Sequence, residues 1–377
     1  MTVVTLSPAS GYFPDPLPIH FAPGNIGPQS FSGSNKTILS CPGSSIQAGC
    51  FQTTQIKVDL GSFPQQANAV GSTIMSIGNN NIYQDNKGTW QMATTLHLSN
   101  PAFTSDTTWS VIAHAHAINA SSSVPTKWVV DTLLVGSLSQ ATKANYNGKY
   151  FEDGGNLYLL YSKELQANPL RDGIVAQLML SAVQAASSDP VTLIDPENAN
   201  VGFNSEYFFG LNPPSPFKLV ETGNVTKIDG KYVLAYSTGA YYSPGYKIGL
   251  AWSDAFLPLQ GKTYKKIHKV DSTGIWGQPG QPEVLYFLQA QKSEWPNYVG
   301  LQVLAPGVPS VVKDQSGEYY LYFAAYDPSD APLMAGTTRF DPSHRRPYFI
   351  NLKIAIPANA SVESASDEDL ASWIIAL

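Results

Sequence analysis

Charged side chains are scarce in this chain of 377 residues, where they make up 13% of the sequence. Soluble domains usually carry roughly 25%. Lysine and arginine form no run or stripe and the net charge is −6, so the composition argues against nucleic acid as a partner. No apolar run approaches the roughly 20 residues that a membrane-spanning helix needs, which argues against a membrane partner.

Cysteine is almost absent, and the two cysteines, Cys41 and Cys50, are placed to close a small disulfide ring. Alone they cannot build a zinc site, and the sequence has no Gly-rich phosphate loop or Ser-His-Asp signature. The histidines His114 and His116 point the same way on a predicted strand, but they lack a third ligand of clear spacing. We therefore expect neither a metal nor a cofactor.

The first residues of the sequence lack the charged start and apolar segment of a signal peptide. Other features are typical of extracellular proteins, namely the cysteine pair and four Asn-x-Ser/Thr sequons, at Asn35, Asn119, Asn224 and Asn359. We expect a secreted or vesicular protein whose leader is absent from this sequence, while a cytoplasmic location stays open.

The sequence is rich in 30 Gly, 28 Pro and 20 Tyr, a composition that favours strands and turns over amphipathic helices. Four similar hairpins recur at a spacing of roughly 70 to 90 residues, which is reasonable for propeller blades with insertions. Each has a short apolar strand, an Asp/Asn-Gly turn and an aromatic strand. They lie near residues 74–95, 145–162, 219–237 and 308–324.

We predict an all-β fold over 1–377, a single five-bladed β-propeller with a short C-terminal helix. The fifth blade is expected to combine 38–60 with later chain, and both termini are expected to close the ring so that no sheet edge is exposed. The helix is expected at 366–376, because Ser366 can cap a first turn of acidic residues.

Only the third hairpin begins with a glutamate, Glu221. These hairpins resemble those of the five-bladed glycoside hydrolases of family 43, such as arabinanases and β-xylosidases, over most of 70–356. In that family the third blade opens with Glu-Gly-Pro-His, and its glutamate is the general acid. The matching residues here are Glu221-Thr222-Gly223-Asn224, so the resemblance implies the acid role for Glu221. The alternative for Glu221 is an exposed blade-edge carboxylate, or one paired with Lys218.

The other catalytic positions of that family depart from its pattern. The first-blade aspartate, its general base, falls within 79–81, which are all asparagine, and the second-blade aspartate falls at Asn147. The fourth-blade histidine falls near Val308. An amide cannot accept a proton from water near neutral pH. Ordinary hydrolysis is then expected only if another acid approaches from a loop, the candidates being Asp85, Asp131 and Glu206.

Amide and aromatic side chains are the candidates for binding a small molecule in the central funnel. The asparagines have an alternative as ordinary turn residues, whereas the aromatic and glutamine candidates lie in insertions, where ligand contacts concentrate. The candidate ligand-binding residues are Asn80, Asn81, Asn147, Asn224, Trp276, Gln278 and Tyr241.

An acid without a base suits a dehydration followed by a cyclisation that needs only a shaped cavity. The sequence resembles the fungal hetero-Diels–Alderases of tropolonic sesquiterpene pathways. That resemblance implies a fungal natural-product enzyme, joining an o-quinone methide formed by water loss to a humulene-type alkene. The first alternative is a glycosidase acting on arabinose- or xylose-containing glycans, and the second is a carbohydrate-binding propeller without catalysis. The sequence does not indicate an oligomeric state.

Overall fold

The chain is an all-β protein whose strands form five blades, as predicted. We name them the N-terminal blade and blades 1 to 4, in chain order. The computed structural model describes residues 4–5, 13, 15–22, 29–33, 36–41, 50–102, 108–118, 123–139, 145–167, 169–197, 206–208, 217–269, 283–289 and 303–377.

The N-terminal blade is an antiparallel sheet built entirely from early residues. Its strands are β2 (Leu17–Pro18), β3 (Gln29–Ser32), β4 (Thr37–Cys41) and β5 (Gln52–Gln55), whereas β1 (Val4–Thr5) pairs with blade 4. The prediction that the fifth blade draws on later chain was wrong for the described residues, because these four strands complete the sheet among themselves. Cys41 at the end of β4 forms a disulfide with Cys50.

Blade 1 is a sheet of five strands whose innermost strand is β7. Its strands are β6 (Lys57–Asp59), β7 (Thr73–Gln84), β8 (Trp90–Ser99), β9 (Thr108–Ala117) and β10 (Lys127–Val135). The helix α1 (Phe63–Ala69) joins β6 to β7. Three tryptophans, Trp90, Trp109 and Trp128, are fully buried inside the blade, as expected for large apolar rings that fill the space between sheets.

Blade 2 begins with a tight hairpin between its first two strands. Its strands are β11 (Asn145–Asp153), β12 (Asn156–Ala167), β13 (Leu170–Ser181), β14 (Gln184–Ala185) and β15 (Val191–Ile194). Between β11 and β12 the two turn residues, Gly154 and Gly155, have φ of 57° and 81°. Positive φ at both central residues is the type I′ turn that matches strand twist, which is why glycine occurs there.

Blade 3 carries the hairpin that the sequence singled out. Its strands are β16 (Lys218–Ile228), β17 (Lys231–Thr238), β18 (Lys247–Ser253), β19 (Lys265–Lys266), β20 (His268–Lys269), β21 (Glu283–Val284) and β22 (Leu288–Gln289), of which β20 and β21 form a separate pair. The turn residues Asp229 and Gly230 have φ of 47° and 79°, so the predicted Asp-Gly hairpin is present.

Blade 4 holds both ends of the described chain. Its strands are β23 (Leu304–Lys313), β24 (Tyr319–Tyr326), β25 (Arg346–Ile354) and β26 (Ile374–Ala376), with a short 3-10 helix at Pro342–His344 and α2 at Asp367–Ser372. Both β1 and β26 pair with β25. The helix begins as predicted, with the Ser366 hydroxyl accepting from the Asp369 N–H. It ends earlier than predicted, because the β-branched Ile374 and Ile375 continue as a strand.

Aromatic and aliphatic clusters between neighbouring blades close the ring. Trp252 of blade 3 packs edge-to-face on Trp373 of blade 4, with ring centroids 5.3 Å apart. The ring closes where Phe31 of the N-terminal blade packs on Tyr322 of blade 4, at 4.2 Å between centroids. The innermost strands β2, β7, β11, β16 and β23 contact their neighbours around the axis, so side chains from different blades meet there.

Among the described residues, neither helix has the length and apolarity that crossing a bilayer requires.

Candidate active site

The innermost strands of blades 1 to 4 share one backbone irregularity. Their pairing with the next strand is interrupted between Gly78 and Asn81, Tyr146 and Lys149, Glu221 and Asn224, and Gly307 and Ser310. The second residue of each bulge has a left-handed backbone, with φ of 49° at Asn79, 59° at Asn147, 56° at Thr222 and 56° at Val308. Such φ values are unfavourable for β-branched residues and concentrate at functional sites.

The bulges surround a cavity of about 450 Å³, within the range of small-molecule sites. Every blade, or the segment that leads into it, contributes to its wall. The lining residues are Asp15, Ser76, Ile77, Gly78, Asn79, His97, Tyr146, Asn147, Glu221, Thr222, Tyr241, Tyr246, Val308 and Arg345.

Glu221 lies in this cavity at the first position of the blade 3 bulge. The Tyr246 hydroxyl donates to Glu221 Oε1 at 2.7 Å, and the Tyr146 hydroxyl also hydrogen-bonds to the carboxyl group. Burial raises the pKa of Glu221, the two tyrosine hydroxyls oppose that rise, and the negative charge of Asp15 adds to it. A carboxyl group that keeps its proton to higher pH than usual can act as a general acid.

The residues equivalent to Glu221 in the other bulges carry no carboxyl group. They are Gly78 in blade 1, Tyr146 in blade 2 and Gly307 in blade 4. The expected match of Asn147 to a catalytic position was therefore wrong by one residue, because Asn147 is the left-handed residue of its bulge and Tyr146 takes the place of Glu221. In blade 1 the residue equivalent to Glu221 is Gly78, which also lies outside the expected positions, the asparagines 79–81.

The space that a side chain at position 307 would need is occupied by a tyrosine of blade 3. A Cβ atom built on Gly307 would lie 1.8 Å from Tyr246 Cε1, so only glycine fits there. The Tyr246 ring is fully buried. Blade 4 thus makes room for the ring whose hydroxyl holds Glu221.

Asp15 is a second carboxyl group in the cavity, and no motif in the sequence pointed to it. It is half-buried two residues before β2, and the Asn79 amide donates to its Oδ2 at 3.0 Å. Asp15 belongs to the segment that leads into the N-terminal blade, and Asn79 belongs to blade 1. Blade 2 lies between them and blade 3, which carries Glu221. The expectation of a lone carboxyl group was therefore wrong.

The three acids that were considered as a second carboxyl group lie elsewhere. Asp85 accepts hydrogen bonds from the backbone of its own turn, and Glu206 pairs with Lys266 Nζ at 2.6 Å. Asp131 bridges His114 and His116, with each ring Nδ1 at 2.6 Å from a carboxylate oxygen. None of these acids lines the cavity. In the part of the chain that the structure describes, no group of three His, Cys, Asp or Glu residues could hold a metal ion.

Two basic groups accompany the carboxyl groups. Arg345 is buried at 2% exposure, its guanidinium lies 5.1 Å from the centre of the Tyr246 ring, and its charge lowers the pKa of Glu221. One of its nitrogens, Nη2, donates to the Ala324 carbonyl at 3.2 Å. Burial lowers the pKa of His97, and the nearby charge of Asp15 opposes that effect. The cavity can therefore hold a polar small molecule.

The predicted ligand-binding residues divide into three groups. Asn147 and Tyr241 line the cavity with Glu221. Trp276 and Gln278 lie outside the described residues.

The remaining three asparagines are not in the cavity wall, so their expected ligand role is corrected to hydrogen bonding within and between blades. The Asn80 side chain bonds to Gly33 and Thr94, Asn81 Oδ1 accepts from the Tyr150 N–H, and the Asn224 amide donates to Ser310 Oγ at 2.6 Å. These contacts use the amide groups that a ligand would need.

The sequence itself matches no family model and no curated protein. The fold does resemble solved structures. An α-L-arabinofuranosidase from Lactobacillus brevis superposes with a TM-score of 0.60 at 13% identity, covering 93% of this chain and 94% of that one. A thermostable family-43 glycoside hydrolase gives 0.57 at 17% identity, with 97% of both chains covered.

An α-L-arabinanase from Cellvibrio cellulosa gives a TM-score of 0.55 at 14% identity, covering 97% of this chain and 99% of that one. At such low identity the likeness is one of fold, a five-bladed propeller.

Proposed function

We propose that this protein is an enzyme that cleaves a glycosidic bond by acid–base catalysis in the axial cavity. The observation that carries the proposal is the pair of carboxyl groups in one cavity, Glu221 and Asp15, held by different blades and in different environments. Glycoside hydrolysis needs two carboxyl groups that flank the scissile bond. The likeness of the fold to an arabinofuranosidase, a family-43 glycoside hydrolase and an arabinanase makes a pentose glycan the substrate to test first.

Each carboxyl group has a role that follows from its surroundings. Glu221, with its raised pKa, donates its proton to the oxygen that leaves with the aglycone. Asp15, which accepts a hydrogen bond from the Asn79 amide, takes a proton from the water that attacks the sugar. The bond between the anomeric carbon and the leaving oxygen breaks as the bond to water forms. The cavity of about 450 Å³ has room for a single small sugar and that water.

Substrates that differ in their leaving group separate the two roles. We expect Glu221→Gln to lose most activity on a glycan, whose leaving alcohol needs a proton, and less on a p-nitrophenyl arabinoside or xyloside, whose leaving group does not. Asp15→Asn should lose activity on both. Steady-state rates on the two substrates measure this. Equal losses for Glu221→Gln on both would contradict the role of acid.

A matched control is Asp85→Asn, because Asp85 is an acid of blade 1 that caps its own turn and does not line the cavity. It should change neither rate by more than a small factor. If the purified protein binds pentose glycans but no substrate turns over, the chain is a carbohydrate-binding propeller and the catalytic proposal fails.

A second candidate function is the dehydration and cycloaddition of an apolar aromatic or terpenoid molecule. The observation that favours it is the aromatic wall beside the acid, since Tyr146 occupies the position equivalent to Glu221 and Tyr241 and Tyr246 line the same cavity. Glu221 would protonate the departing hydroxyl, whereas Asp15 would accept the phenolic proton, so that water and an o-quinone methide form. The cycloaddition itself would need only the shaped cavity.

The two steps respond differently to loss of the acid. For this candidate, Glu221→Gln should slow formation of the quinone methide and leave the cycloaddition of a preformed quinone methide nearly unchanged. Product formation and stereochemistry, followed by chromatography, measure both steps. If the protein alters neither, this candidate is excluded.

A further inference from the structure

Lys149 is a buried lysine of blade 2 whose ammonium group contacts blade 3. Its side chain is 3% exposed, and Nζ donates to the carbonyl oxygens of Thr222 and Gly223, each at 2.9 Å. These two residues directly follow Glu221 in the bulge. Lys149 therefore holds the backbone that carries the acid, although it does not line the cavity itself.

The position of Lys149 is occupied by neutral residues in the other bulges, namely Asn81, Asn224 and Ser310. Asn81 and Asn224 also reach the next blade, to the Tyr150 N–H and to Ser310 Oγ. A neutral side chain is thus sufficient to link two blades. Of these four described bulge positions, only the one that contacts the blade of Glu221 carries a cation.

A buried ammonium group without an ion pair is costly for a fold. Among the described residues, no carboxylate oxygen lies within 4.0 Å of Lys149 Nζ. Burial lowers the pKa of Lys149 to about 7, and the negative charges of Asp15 and Glu221 oppose that effect. Lys149 therefore interacts electrostatically with both acids of the cavity without a direct contact to either.

We propose that Lys149 is a positioning residue, which fixes the shape of the blade 3 bulge and stabilises Glu221 in its ionised form after proton transfer. This inference rests on the proposed role of Glu221 as the acid. The other groups that face Glu221 are the hydroxyls of Tyr146 and Tyr246 and the charges of Asp15 and Arg345. Lys149 adds a positive charge from behind the bulge.

The sign of the effect follows from electrostatics. A positive charge favours the carboxylate form of Glu221, so its removal should raise the pKa of Glu221 further. In Lys149→Met the side chain keeps its length but loses its charge and its donors. We expect Glu221 to stay protonated to a higher pH than in the wild type. Lys149→Arg, which keeps the charge, should restore most of the wild-type titration.

The test is a pH titration of the protonated carboxyl band in the infrared difference spectrum. Glu221→Gln identifies the band, and no substrate is needed. The control is Lys231→Met, which removes a lysine charge from the outer part of blade 3 and should leave the titration unchanged. A folded Lys149→Met protein with the wild-type midpoint would overturn the proposal.

Should Lys149→Met fail to fold, Lys149→Gln removes the same charge while keeping a donor, and its midpoint decides in the same way. Where activity has been found, the alkaline limb of kcat/KM should move in parallel with the titration. A shifted titration in a protein that turns over no substrate would support Lys149 as positioning residue and count against the proposed function. Turnover together with an unshifted titration would support the proposed function and count against Lys149 as a positioning residue.

Discussion

Blades 3 and 4 form the same bulge, but they carry very different residues at its first position. Both bulges place a β-branched residue, Thr222 or Val308, in the left-handed conformation. Blade 3 presents Glu221 at the position before it, whereas blade 4 has Gly307 there, and the Tyr246 ring of blade 3 fills the space above the glycine. The repeated backbone makes the cavity, and single side chains decide which part of its wall carries an acid.

Removal of the acid from blade 3 should have the largest effect. We expect Glu221→Gln to lower kcat/KM by about 10²–10⁴ on the substrate that the enzyme turns over, the usual worth of a general acid. Because the pKa of Glu221 is raised, wild-type activity should persist above the usual titration range of glutamate and fall as the pH rises through the shifted pKa. The variant should lack that alkaline limb. A pH–rate profile measures both effects.

A side chain added to blade 4 should disturb the acid from the opposite side. We expect Gly307→Ala to force the Tyr246 ring out of place, with a stability cost of about 1–3 kcal/mol and a partial loss of activity. Thermal unfolding and kcat/KM measure the two effects. The control is Gly223→Ala, whose Cβ would lie 2.5 Å from Cδ1 and 2.9 Å from Cγ2 of Ile174, a smaller overlap than at Gly307, and which should cost less activity. Unchanged activity in Gly307→Ala would show that the ring position does not matter.

Removal of the Tyr246 hydroxyl should change the pKa of Glu221 on blade 3 without changing blade 4. Tyr246→Phe removes a donor that favours the ionised form of Glu221, so the pKa of Glu221 should rise and the alkaline limb should move up by as much as about one pH unit. Tyr322→Phe is the control, because the buried Tyr322 hydroxyl has no hydrogen-bond partner among the described residues. It should leave the profile unchanged. A downward shift in Tyr246→Phe would contradict the role given to Tyr246.

The outer edge of blade 3 should give the smallest effect. Burial works to raise the pKa of Asp254, but Lys231, Ser361 and two backbone N–H groups lower it to about 2. Because the folded pKa is below the ordinary value of 3.8, the contribution of Asp254 to stability is present above that pH and lost as the pH falls towards 2. Asp254 is exposed, so Asp254→Asn should cost only about 0.5–1 kcal/mol at neutral pH. Urea unfolding at pH 7 and pH 2.5 measures the difference, which should shrink in acid.

Local features of the fold could be predicted from the sequence because their causes are local. The Asp229-Gly230 turn requires positive φ at two residues, and both residues adopt it. The capping of α2 by Ser366 is equally local. The strand at Ile374–Ala376 was missed, because its partner β25 lies far away in the sequence and pairing overrides the helical start.

The candidate site could be predicted only in part. Glu221 begins a hairpin, and that hairpin is visible in the sequence. Asp15 lies in a proline-rich stretch without periodicity, and only closure of the ring brings it near Glu221. The equivalence of Tyr146 rather than Asn147 depends on the register within a bulge, which hydrophobic alternation does not specify.

Hydroxyl groups on the second strands of blades 1 to 3 each form a hydrogen bond with the following blade, so these contacts all run in one direction around the ring. Thr95, Ser162 and Ser237 each accept a hydrogen bond from the backbone N–H of the left-handed residue in the following blade. Three of the four bulges around the cavity are thus held in place by the blade before them. Anyone who wishes to move the acid of blade 3 by engineering should begin with Ser162 in the preceding blade.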